Sequence, residues 1–173
     1  MAPRTSEPIR RRAAEAWFED AESDLANARS LSRHREERTA PSGAAFHAEQ
    51  AVEKGLKSLL LYYEIDYPPK HDLGLLTSLL PDGLPTTEVP IAGLTVYAVE
   101  QRYVAGAANP MSLSERPTWD DADEAISIAA QALAAISVDL ATAFARADAE
   151  SIAEDTAQTQ RSDPTGGIAP DSE

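Results

Sequence analysis

From Ala44 to Tyr63 the chain reads AAFHAEQAVEKGLKSLLLYY, with no proline and a single glycine. At ~100° per residue, Ala45, Ala48, Val52, Leu56, Leu59, Leu60 and Tyr63 fall on one wide face, which predicts an amphipathic helix. His47, Gln50, Lys54 and Lys57 share an opposite sector of roughly 80°. One side builds a core; the other presents an imidazole, an amide and two ammonium groups.

The same pattern divides the rest of the chain. A first helix is expected from Arg10 to Leu31, with Trp17, Ala21, Leu25, Ala28 and Leu31 as its stripe and Asp24 at the stripe's edge. A carboxylate beside a core is tolerated when a basic residue of another helix pairs with it. Ser32 to Thr39 is charged and aperiodic, a helix end and loop that holds His34. Pro41-Ser42-Gly43 opens the second helix with Ser42 as candidate N-cap, and Pro68-Pro69 bars its continuation. Asp72 caps a short third helix, Leu73 to Leu80, whose Leu75, Leu76, Leu79 and Leu80 seal one end of the core. A fourth helix is expected from Pro90 to Ala108. It is apolar on two sides: Leu94, Tyr97, Val104 and Ala105 cluster, while Val96, Val99 and Tyr103 point elsewhere. The second surface predicts self-association or a partner. Thr118 and Asp121 form a capping box that opens a fifth helix, along which Trp119, Ala122, Ile126, Ala129, Leu133, Ile136, Leu140 and Phe144 make a bundle seam.

The fold class expected is all-α: an up-and-down antiparallel bundle of four long helices plus one short helix, with disordered tails. Residues 1–9 read as a flexible arm and residues 10–146 as the bundle. The periodicity fails from about Ala147, and residues 147–173 read as a disordered acidic tail rich in Gly, Pro, Ser and Thr.

Charge and composition narrow the function. The 173-residue chain has a formal net charge of −14, which argues against general nucleic-acid affinity. Any phosphate site must be a local basic pocket on an acidic protein. The absence of cysteine fits a reducing cytoplasm. The basic N-terminus lacks the apolar run of a secretory signal, and no run of about 18 consecutive apolar residues exists, so no membrane association is expected. There is no glycine-rich phosphate loop, HExxH or Gly-x-Ser-x-Gly, and His34, His47 and His71 stand in different segments. No metal site and no cofactor are expected.

Four blocks carry a resemblance. FHAEQAVEKGLKSLL (Phe46 to Leu60) resembles the signature helix of the HEPN domain family, small all-helical domains. AEAWFEDAESDLANARSL (Ala14 to Leu31) resembles that family's first helix, KHDLGLLTSLL (Lys70 to Leu80) its His-Asp-Leu segment, and YAVEQRY (Tyr97 to Tyr103) its fourth-helix segment ending in Arg-Tyr. The blocks stand in the family's order from Ala14 to Tyr103. Many members resemble one another in an Arg, four to six residues, then a His, the machinery of metal-independent ribonucleases. Here Arg102 is followed by Tyr103 and no histidine; Asn109 stands where the histidine would, and an amide does not titrate near neutral pH. No catalytic residue is assigned. Arg102-Tyr103 instead resembles the non-nuclease branch associated with nucleotidyltransferases.

Three function classes follow. The favoured one is a binding module, a homodimer that takes a nucleotide or nucleic-acid end or serves as helical partner of a nucleotidyltransferase, through His47, Gln50, Lys54, Lys57, Arg102, Tyr103 and Asn109. The alternatives are a toxin-type ribonuclease using Arg102 with a non-standard base, and a structural adaptor without a small ligand.

Overall fold

A computed structural model describes residues 5–35, 40–97 and 116–162. The described residues are all-α, with no strand among them. Helix α1 spans Glu7–Ser32 and α2 spans Ala40–Tyr62. Both begin earlier than their apolar periodicity does, because Pro8 and Pro41 sit in first turns, where a missing N–H removes no helical bond. Ser42 therefore lies inside α2 rather than capping it.

The far end of α2 closes before the prolines are reached. Ile65 N–H donates to the Leu60 carbonyl at 2.8 Å, and Glu64 takes the left-handed conformation with φ 56°. Glu64 then ties down the start of α1: its carboxylate accepts from Thr5 N–H at 2.7 Å and from Arg10 at 3.1 Å. Helix α3, Leu73–Ser78, is capped by Asp72, whose Oδ1 accepts Leu75 N–H at 2.9 Å. Leu73, Leu76 and Leu80 are buried there, while Leu75 and Leu79 are only half-buried.

The segment expected to open the fourth helix begins differently. Two 3-10 turns, Pro85–Glu88 and Ile91–Leu94, precede a single described helical turn, α4, at residues 95–97. The first is held by buried Asp139, whose Oδ2 accepts both the N–H (3.0 Å) and the hydroxyl (2.5 Å) of buried Thr86. Leu84 and Pro90 flank these turns, and Ile91 and Leu94 are buried against the core. Val96 is 48% exposed. Val99, Val104, Ala105 and the remainder of the expected helix lie outside the described residues.

Helix α5 spans Trp119–Ser162. Its capping box forms as expected: Asp121 Oδ2 accepts from Thr118 N–H (2.7 Å) and Oγ1 (2.6 Å), and Asp121 N–H donates back to Thr118 Oγ1 at 3.2 Å. The Thr118 hydroxyl, then its N–H, hold the Asp121 carboxyl below its ordinary range. Arg35 anchors this end, pairing with Asp123 at 2.7 Å, lying over the Trp119 ring at 5.4 Å and accepting Trp119 Nε1–H on its carbonyl.

The core lies between α1, α2 and the first part of α5. A methyl on Gly55 of α2 would stand 2.8 Å from Ile136 Cδ1, 3.5 Å from Leu133 Cδ1 and 4.0 Å from Ala21 Cβ, so the three helices pack closely there. Leu56, Leu59, Leu60, Leu73, Ile91 and Ile136 are fully or almost fully buried, and each contributes about 1.5–3 kcal/mol. On length and composition alone α5 is apolar enough to cross a membrane. Its Ala122, Ala125, Ala129, Ala132, Leu133, Ile136 and Leu140 are instead buried residues of the protein core.

The described residues up to Leu140 form one compact unit, and those from Ala141 to Ser162 belong to a second. In the second unit α5 stays helical to Ser162, beyond the Ala147 boundary expected from periodicity, and is exposed throughout residues 148–159. Alanine-rich sequence holds a helix without an apolar stripe, aided by the Arg146–Glu150 pair one turn apart at 2.8 Å.

Candidate functional site

The polar side of α2 is organised around two carboxylates. Asp24, on the rim of the α1 stripe and 8% exposed, reaches across to α2. Its Oδ1 lies 2.8 Å from His47 Nδ1, and its Oδ2 lies 2.7 Å from Lys54 Nζ. His47 and Lys54 are two turns apart and therefore share a side of the helix. Two partners facing a carboxylate this buried offset the cost of removing it from water.

Glu53 is the centre of the second set and is 2% exposed. Its Oε1 pairs with Lys57 at 2.5 Å and its Oε2 lies 2.6 Å from His71 Nδ1, with Gln50 Nε2 at 3.4 Å. Burial pushes the Glu53 carboxyl up, but the hydrogen bonds and charges of Lys57 and His71 outweigh it and hold it below its ordinary value. The Lys57 ammonium also lies over two aromatic rings, 5.7 Å from the Trp17 centroid and 5.6 Å from that of Tyr67.

Glu49 stands one turn before Glu53 and is fully buried. Gln50 Nε2 donates to its Oε2 at 2.7 Å, and its Oε1 has no hydrogen-bond partner. Burial pushes this carboxyl up to about 8, Gln50 pulls it back and neighbouring Glu53 adds to the rise. At neutral pH Glu49 is chiefly the uncharged acid.

The four polar residues read from α2 thus come together, but not as an open basic face. His47 and Lys54 converge on Asp24; Gln50 and Lys57 converge on Glu49 and Glu53. All four are half-buried, and the side chains of His47 and His71 keep 32% and 34% exposure. Two ammonium groups, Lys54 and Lys57, face two carboxylates, Asp24 and Glu53, on a chain of charge −14. Such a strip can receive an anion at its partly exposed His47, His71 and Lys54 side chains. Arg102, Tyr103 and Asn109 lie outside the described residues. Among the described residues no group of three His, Asp or Glu side chains gathers to hold a metal ion.

Sequence reasoning passed over Glu49, Glu53 and His71. A signal was present: at ~100° per residue Glu49 falls between Leu56 and Leu60, inside the apolar face, where a carboxylate needs an explanation. Glu53 and Lys57 also stand at ion-pair spacing.

Comparison with known proteins gives this arrangement its family. The HEPN domain profile matches residues 14–138. Among solved structures, TT1696 from Thermus thermophilus is 27% identical and superimposes with a TM-score of 0.57, covering 72% of this chain and 95% of that one. An archaeal HEPN homologue, ST0689, shares the fold with a TM-score of 0.55 at 23% identity, over 73% of this chain and 97% of that one. No curated protein matches the chain. With a profile match that takes in both carboxylate-centred sets, the chain belongs to the HEPN domain family.

Proposed function

We propose that this chain is a non-nuclease HEPN binding module, working as a dimer, whose α2 strip takes a nucleotide or nucleic-acid end, alone or as helical partner of a nucleotidyltransferase. The observation that carries the reading is the charge-balanced strip itself. On a chain of net charge −14, Asp24 and Glu53 hold Lys54 and Lys57 in place and cancel no more than their charge. A phosphate approaching this strip meets fixed donors rather than a field of carboxylates. The sequence supports binding over cleavage, since no histidine follows Arg102. Val96, 48% exposed on α4, supports a second copy or a partner at that surface.

Titration of wild type and Lys54→Ala with ATP, GTP and short RNA, at low and physiological salt, tests the site. The expected result is binding by wild type that Lys54→Ala weakens. Equal binding by both, or none by either, overturns the reading. In a parallel incubation with single-stranded RNA and no metal, the RNA stays intact; cleavage abolished by Arg102→Ala would establish the ribonuclease instead.

A further inference from the structure

A groove of about 280 Å³ runs between α1 and α5. Leu25 and Leu133 in it are buried, Phe18 is half-buried, and Ala26 and Ala134 are exposed. The α5 side is bare of charge: from Ala125 to Val138 it has no charged residue, yet Ala134, Ser137 and Val138 are exposed. A helix that is apolar beyond its core face has a second surface to cover. The two charged residues lining the groove, Glu22 and Arg29, both stand on α1. Both are exposed, and neither pairs with a described residue. At ~100° and ~1.5 Å per residue they lie within about 20° of one another and about 10 Å apart along the helix, with Leu25 and Ala26 midway between them.

We propose that this groove is where a second copy of the chain docks, two-fold related, with Glu22 of each copy on the partner's Arg29. The pattern is complementary to itself. A two-fold axis passing between Leu25 and Ala26 runs the two α1 helices antiparallel and exchanges the places of Glu22 and Arg29. Each carboxylate then meets the other copy's guanidinium, and the two pairs flank an apolar centre, the usual layout of a protein interface. An unrelated partner would have to supply both charges at this spacing; a second copy supplies them by symmetry. Charge also favours this face over others. The groove lining sums to zero, so two copies of a chain of charge −14 approach there with less repulsion. Ala26 and Ala134 are small and exposed, which lets a partner helix come close. The proposal rests on the dimer of the reading above and locates it; it does not depend on what the α2 strip binds.

Sedimentation velocity over a concentration series tests this, and wild type is expected to dimerise. Glu22→Arg turns both pairs into like-charge contacts, and so does Arg29→Glu. Each should raise the dimer dissociation constant at least about tenfold. Mixing the two variants then restores both pairs, so they should form mixed dimers that neither forms with itself. The double variant Glu22→Arg, Arg29→Glu should dimerise like wild type. Both positions are exposed, so the fold should persist, as far-ultraviolet circular dichroism would verify. Ala26→Glu sets two like charges beside the axis and should also separate the copies. Wild-type dimers indifferent to both single variants place the dimer on another face; this inference falls and the binding module stands. Single variants that weaken the dimer but do not recover on mixing also overturn it. A wild-type monomer at every concentration removes this inference together with the dimer of that reading, while the nucleotide titration still decides the α2 strip separately.

Discussion

Glu49 and Glu53 sit one turn apart on α2 and are shifted in opposite directions, Glu49 up to about 8 and Glu53 below its ordinary value. The difference is one of partners. Glu53 has the cations Lys57 and His71; Glu49 has one amide and, as its other neighbour, the Glu53 carboxylate.

The pair predicts a signed pH dependence. Glu49 binds its proton more tightly in the folded chain, so its contribution is greatest below the unfolded value of 4.5 and is lost as pH rises towards about 8. Glu53 does the reverse: its contribution is present above 4.5 and is lost as pH falls through its lower folded value. Glu49→Gln removes the first effect alone. Denaturant melts at pH 5, 7 and 8.5 should show wild type losing stability relative to Glu49→Gln as pH rises, by about 1.4 kcal/mol per unit at most. Parallel stabilities across that range would contradict the assignment.

A second prediction concerns Thr86 and Asp139. Thr86→Val keeps the shape and the backbone N–H but deletes the hydroxyl that Asp139 Oδ2 accepts. Both residues are buried, so the cost should be about 1–3 kcal/mol, read as a lower denaturant midpoint with unchanged slope. A neutral result would mean that water replaces the hydroxyl.

The third concerns Gly55. Ala at this position gains about 1 kcal/mol of helix propensity but places its methyl against Ile136, so the two effects largely offset. Gly55→Leu has no such balance, because Leu133 and Ile136 occupy the space. It should destabilise by at least about 1–3 kcal/mol and lower the thermal midpoint. If Gly55→Leu melts like wild type, the helices separate there more readily than this packing allows.

What was legible in the chain follows from range. Asp72 and the Thr118–Asp121 box act within three residues, and the structure places both as caps. The α2 core face, Val52 to Leu60, depends only on spacing along one helix, and it too is buried as read. Asp24 was legible halfway: its place beside the core implied a basic partner, but not that His47 and Lys54 would share it. Glu53 meets His71 across a loop, and no local pattern encodes that meeting. The 3-10 turn at Ile91–Leu94 was hidden for a related reason, since Thr86 and Asp139 fix the approach to it from 53 residues apart.

The stretch of α5 beyond Asp148 has consequences for how the molecule comes apart. With its described side chains exposed through residue 159, each turn there gains little from burial, and its contacts include local ones such as Thr156 to the Ile152 carbonyl. Such a helix frays from its end in small steps. Its amide protons should exchange with solvent far faster than those around Gly55, and its ellipticity should decline gradually on warming, before the core gives way. A far-ultraviolet melt of this protein should therefore slope well below its midpoint, and that slope would belong to α5's outer turns, not to a partly unfolded core.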